Sequence, residues 1–167
     1  MRTIPATTLK NMFALESEEH PVVLISCERS GEATLYLSSD PTERLIEDDQ
    51  NIWYGTMSRG QPYLYFPFQL TLANDQEESI PGMKIVIDNV DGSIGWWFRS
   101  SINAADVTVE IVSSGDLDTV IASFPDFELK SFTGDTFQVN GMIQLNTYSN
   151  ESYPSGRFTP ADFPGLF

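Results

Sequence analysis

Cysteine is almost missing from this chain. Cys27 stands alone, so no disulfide can close within it. That absence fits assembly in a reducing cytoplasm. Its setting, Val22-Val-Leu-Ile-Ser-Cys27, reads as a strand, where a free cysteine behaves as a small core hydrophobe. Histidine is equally scarce. His20 is the only one and sits in the polar turn Glu18-Glu19-His20-Pro21. One His and one Cys cannot build a structural zinc site. A lone surface His between acids also falls short of a nucleophile and its base. There is no Gly-x-Ser-x-Gly elbow, and the 11 glycines are scattered over turns rather than gathered into a phosphate-binding loop. Asp88-Asn-Val-Asp-Gly92 resembles a calcium loop only faintly: Val90 occupies a ligand position, and no Glu closes the motif. A helix cap at Asp91 accounts for those residues better. No apolar run approaches the ~20 residues that cross a bilayer. Arg2 is not followed by the apolar stretch of a signal peptide. No cofactor and no metal are therefore expected.

Positive charge is also in short supply. Lys and Arg total 9 against 24 Asp and Glu, a net charge of −15. A nucleic-acid binder needs a basic surface to neutralise phosphates. This chain repels DNA and anionic membranes instead. The excess serves solubility, or it lines a surface past which DNA slides without sticking. With 24 acids, some pair always lies at the spacing of a glycosidase, so carboxylate pairs carry no information here. Trp53, Trp96 and Trp97 could form a sugar platform, which makes a carbohydrate-binding module for host attachment the alternative reading, although Trp in a sheet-rich domain usually serves core or interface.

What is present is strand pattern. Leu9, Met12 and Phe13 fall at helical spacing in residues 7–16, with Thr7 or Thr8 as cap. The helix should stop before Pro21. Val22–Ser26 is an apolar run, and Thr34–Leu37 pairs with it across Ser30-Gly31. Residues 38–51 are polar and acidic and read as a loop. In Leu64–Leu72, alternate residues Leu64, Phe66, Phe68, Leu70 and Leu72 share a face, while Pro67 marks an edge or a bulge. Asn74–Ser79 is an acidic turn, and Met83–Asp88 alternates again. Asp91–Ile102 reads as a second helix, capped by Asp91 or Ser93, with Ile94, Trp97 and Phe98 as its apolar stripe. Strands follow at Val107–Val112, Val120–Phe124, Phe127–Lys130 and Phe137–Leu145. In the last, Phe137, Val139, Ile143 and Leu145 face inward. The fold expected is mainly β: an antiparallel β-sandwich or split barrel of seven or eight strands with two short helices. It forms one domain over residues 1–147, and residues 148–167 make an extended arm. Pro154, Pro160 and Pro164 deny that arm a helix, and Tyr153, Phe158, Phe163 and Phe167 give it something to dock with.

The closing segment Tyr153-Pro-Ser-Gly-Arg-Phe-Thr-Pro-Ala-Asp-Phe-Pro-Gly-Leu-Phe167 resembles the closing motif of a family of phage and prophage tail proteins catalogued as a domain of unknown function. Gly60–Leu72, Met83–Val90 and the opening helix with Pro21-Val-Val-Leu-Ile also fit it, whereas residues 38–59 correspond least. The resemblance implies a non-enzymatic subunit of the virion, assembled in the host bacterial cytoplasm. It implies a tail-tip or distal-tail ring, often hexameric, whose partners are copies of itself, the tail tube, the tape measure and tip proteins. No catalytic residues come with it. Tyr153, Arg157, Phe158, Pro160, Phe163, Pro164, Gly165 and Phe167 become interface candidates, docked on their own subunit or a neighbour. Glu47, Asp48, Asp49, Asp75, Glu77 and Glu78 become candidates for an acidic lumen or rim that DNA passes.

Overall fold

A computed structural model describes residues 6, 9–10, 13–14, 16–47, 52–72, 82–88, 92–100, 104–135 and 137–145. Its strands are β1 (Pro21–Glu28), β2 (Leu35–Ser38), β3 (Glu43–Glu47), β4 (Ile52–Ser58), β5 (Gln61–Tyr65), β6 (Phe68–Thr71), β7 (Gly82–Asp88), β8 (Asp106–Ser113), β9 (Asp116–Gly134) and β10 (Gln138–Leu145). One helix, α1 (Ser93–Arg99), lies between β7 and β8. The strands form a single open sheet in the order β3-β4-β5-β2-β1-β8-β9-β10-β7-β6. Every pairing is antiparallel except β2 with β5. The mainly-β expectation holds, with ten strands in one sheet whose end strands β3 and β6 do not pair.

The apolar run of β1 shows why the sheet is built as it is. A strand with one wet face alternates apolar and polar; a run apolar at every position is covered on both faces. Val22 and Leu24 enter one cluster with Tyr63 and Val112. Ile25 and Cys27 enter the larger one, with Leu37, Met83, Ile85, Ile87, Val107, Val109, Val139 and Ile143. β1 therefore separates two cores. The larger draws on both halves of the sheet, so the sheet bends.

The bend lies in β9. Its first part pairs with β8 and its last part with β10, and Phe127 and Glu128 have partners on both sides. Pro125, which has no N–H to give, and Asp126, at φ +64°, immediately precede that shared pair. Val120–Phe124 and Phe127–Lys130, read from the sequence as two strands, are thus one strand that changes partners.

Proline also divides Leu64–Leu72. The run breaks at Phe66-Pro67 into β5, beside β2 and β4, and β6, at the sheet edge beyond β7. Half of the expectation stands, since β6 is an edge strand. The expected loop over 38–51 contains β3 and is followed by β4, paired as a hairpin. β4 escaped notice because its buried positions are Gly55, Thr56 and Ser58, which show no apolar period. A Cβ on Gly55 would stand 2.0 Å from the Tyr63 carbonyl oxygen, so the close approach of β4 to β5 requires glycine there.

α1 is shorter than expected. Its N-cap is Gly92 at φ +79°, with no side-chain cap bond; Asp91 lies outside the described residues. Ile94 and Phe98 are buried as expected. Of the first helix, Ala6, Leu9 and Lys10 are helical and the Phe13 N–H donates to the Leu9 carbonyl at 3.2 Å. Leu9 and Phe13 are exposed.

Because β1 faces two cores, Leu24→Ala and Ile25→Ala should each lower the unfolding free energy by about 3 kcal/mol, measured by urea denaturation. Equal losses from adjacent residues mark a strand covered on both sides. A near-zero loss at either one would mean that face is wet.

Candidate functional surfaces

α1 is held at a fixed angle of roll by Arg29. The Arg29 side chain is 3% exposed and its guanidinium lies 4.4 Å from the centre of the Trp97 ring. Nη1 donates to the Trp97 carbonyl at 3.0 Å and stands 3.5 Å from Glu32. Trp97 Nε1 donates to the Ala33 carbonyl at 3.1 Å, and Ser100 Oγ donates to the Glu32 carboxylate at 2.8 Å. A buried charge is tolerable only with partners of this kind. Among the described residues, Arg29 Nε alone lacks one. The network fastens α1 to the β1–β2 turn with Trp97 facing in. Trp97 and Phe98 both turn to the core; at about 100° per residue, Trp96 lies about 200° from Phe98 and faces out, 72% exposed.

Arg99 ties α1 to the β9–β10 turn. Arg99, one helical turn from Trp96, donates from Nη2 to the Gly134 carbonyl at 3.2 Å. Phe98 stacks on Phe132 with centroids 5.1 Å apart. Phe137, three residues past Gly134, is 79% exposed, contrary to its expected inward position. The physical reason is that β10 begins only at Gln138. Phe137 belongs to the turn, whose Asp135 carboxylate accepts the N–H of Gln138 at 2.7 Å and of Phe137 at 2.8 Å. Those two donors hold the Asp135 carboxyl below the usual range. Val139 and Ile143 are buried as expected, and Leu145 is half-buried.

A second fastening closes the smaller core. Arg59 and Gly60, at φ +51° and +76°, form a two-residue hairpin turn in which both residues are left-handed. Glycine suits it, but arginine is held there by contacts. Its guanidinium pairs with both Glu110 carboxylate oxygens, and its backbone N–H donates to the Asp118 carboxylate. Ser58 Oγ donates to the Leu117 carbonyl at 2.6 Å. The β4–β5 tip is thereby tied to the start of β9, over the edge-to-face pair Tyr36–Tyr63 at 5.2 Å. Burial raises the pKa of the Tyr63 hydroxyl.

Two depressions lie half-open to solvent. One of about 660 Å³ lies at the β9 bend, between Val107, Pro125, Phe127 and Leu145. One of about 450 Å³ lies between β6, β7 and β10, over Tyr65, Phe68, Val86 and Asn140. Neither contains His20 or Cys27. Among the described residues no three His, Cys, Asp or Glu stand where they could hold a metal ion. No helix among them is long and apolar enough to cross a membrane. His20 is a surface residue 3.4 Å from Asp40. The three tryptophans do not form a platform: Trp53 packs against Phe66, Trp97 carries Arg29, and Trp96 alone is free of the core.

Of the residues singled out from the sequence, Glu47 ends β3 opposite Ile52. Asp48, Asp49, Asp75, Glu77 and Glu78 lie outside the described residues, as do Tyr153, Arg157, Phe158, Pro160, Phe163, Pro164, Gly165 and Phe167. Sequence reasoning offered Trp96 to a sugar platform and Phe137 to the core, and both are exposed. The apolar stripe Ile94, Trp97 and Phe98 carried a usable signal, since it leaves Trp96 on the opposite side of the helix.

A family model described as a domain of unknown function (DUF1833) matches residues 34–158. The chain belongs to this family. The match takes in β2 to β10, with the Gly60–Leu72 and Met83–Val90 stretches, and ends at Phe158 inside the closing motif. No curated protein matches the chain.

Cys27 is 4% exposed, and burial, opposed by the nearby Arg29 charge, pushes its thiol from 9.0 up to about 12. The native thiol should therefore ignore a disulfide reagent at pH 8 and react fully in denaturant. The sign for stability follows from the raised value. Below pH 9.0 the thiol is neutral in both states; between there and about 12 only the unfolded chain ionises, so stability falls as pH rises. A Cys27→Ala chain should lose that part of the alkaline slope in urea melts taken from pH 8 to 11.

Proposed function

We propose that this chain is a structural subunit of a bacteriophage tail tip. It assembles into a distal-tail ring of six that joins the tail tube to the tip and lets DNA pass. The observation that carries the reading is the closing motif Tyr153–Phe167, with its resemblance to phage and prophage tail proteins. Membership of the matched family over residues 34–158 is compatible with it. The net charge of −15 supports it, since like charge keeps DNA from adhering to a channel wall. Screening confines that field to roughly 8 Å at physiological salt, so only acids at the lumen or rim act; Glu47, Asp48, Asp49, Asp75, Glu77 and Glu78 are assigned there. In this reading the bent sheet serves as a sandwich-like shell element. The chain performs no reaction and takes no cofactor; it resides in the virion, with tube, tape-measure and tip proteins as partners.

Light scattering over a wide concentration range, with the protein alone and with tail-tube and tip proteins, is expected to give the mass of a ring. A chain that stays monomeric under all these conditions and binds no tail protein would overturn the proposal.

A further inference from the structure

Exposed aromatics in a strongly acidic protein need a reason, because apolar rings in water are costly and interfaces are where Trp, Phe and Arg concentrate. Trp96 and Phe137, 72% and 79% exposed, stand on two different elements joined by the Arg99–Gly134 hydrogen bond. Trp96 is turned outward by the Arg29–Trp97 anchor, and Phe137 by the Asp135 cap. Next to Phe137, carboxylates stand on either side of Gln138: Asp135 receives its backbone N–H, and Asp88 lies 3.3 Å from its side-chain amide.

We propose that this seat, Trp96–Arg99–Phe137, receives the Pro/aromatic segment 153–164 of a neighbouring copy of the chain. The inference rests on the tail-ring reading and deepens it by naming the contact between subunits. Three features of the molecule select that occupant. The first is chemistry. Tyr153-Pro, Phe158-Thr-Pro and Phe163-Pro present proline and aromatic faces, and exposed aromatic side chains bind pre-extended proline segments at low entropic cost. The second is charge. Arg157, the only cation after Lys130, directly precedes Phe158 and meets the Asp135 and Asp88 carboxylates. The third is position. The seat lies at the Gln138 end of β10, and the chain leaves the described structure at the Leu145 end, about 23 Å away at ~3.3 Å per residue. Residues 146–167 can reach roughly 70 Å when extended, well past one subunit. A donor segment at one end and its seat at the other make a head-to-tail contact, the kind that closes into rings.

The test uses two full-length variants, studied alone and with tail-tube and tip proteins. Trp96→Ala/Phe137→Ala removes the seat and keeps the arm. Phe158→Ala/Phe163→Ala removes the arm's anchors and keeps the seat. Each should associate at least tenfold more weakly than wild type in sedimentation velocity. The seat variant should melt as wild type does, because its altered side chains are solvent-exposed. Mixed, the two should form a one-to-one dimer and nothing larger, since only one arm and one seat remain between them. A seat variant that assembles like wild type, or a mixture that stays monomeric, overturns this inference while leaving the ring reading intact. A wild-type chain that never assembles removes the ring reading itself.

Discussion

Everything in this molecule depends on β1 having no wet face. Val22 and Leu24 point one way and Ile25 and Cys27 the other, and all four are at most 4% exposed. A sheet carrying such a strand cannot lie flat with one side in water; it must be covered twice. On one side the bent half of the sheet, β7, β10 and the end of β9, returns with α1 to complete the larger core. On the other, Tyr63, Tyr36 and Val112 form a smaller one. At about 25 cal/mol per Å² of apolar surface removed from water, the larger cluster dominates the stability. The smaller decides where the β4–β5 hairpin goes.

Two local devices make this double cover possible. The first is the Pro125-Asp126 corner, which lets one long strand serve two sets of neighbours. The second is the Arg59 clamp. A non-glycine residue in the left-handed region costs of order 1–3 kcal/mol and persists only where its surroundings hold it. Here the backbone N–H and the guanidinium of the same residue are both engaged, by Asp118 and by Glu110. The charge pair is partly exposed and worth little by itself. Its value is geometric, because it seats the hairpin tip against Leu117 and shuts the open side of the smaller core.

Legibility in the sequence followed the nature of the forces. Where burial was apolar and periodic, as in Met83–Asp88 and Val107–Val112, the strands were readable, and so was the apolar run of β1 as a strand. Where burial used Gly55, Thr56 and Ser58, the pattern was silent. Those positions are filled by hydrogen bonds, such as that between Thr56 and Ser38 at 2.7 Å. Where proline fell within a strand, its local rule was sound but its consequence was not local. Pro67 separates β5 from β6 across the sheet, and Pro125 sits inside a strand that merely turns. Phe137 had the right parity for the core, but the ladder begins one residue later. On α1 the stripe Ile94, Trp97 and Phe98 was readable and leaves Trp96 facing water; what was not readable is the hold on Trp97 by Arg29, which lies 68 positions before it.

Charge and shape act on assembly in opposite directions. At a net −15, two copies repel wherever their surfaces are acidic, and several cations are already spent internally: Arg29 on Glu32, Arg59 on Glu110, Lys130 on Glu128. The proposed self-association would therefore have to be carried by short-range contacts that outweigh a repulsion screened within roughly 8 Å. Large aromatic rings supply such contacts, because their gain scales with buried area and not with charge. The Arg29 anchor turns Trp96 out and the Asp135 cap turns Phe137 out, both at the end of β10 away from the chain's exit at Leu145. In the proposed ring, two features that look purely structural, a buried arginine and a turn cap, would thus set which end of an otherwise repulsive surface holds a neighbour.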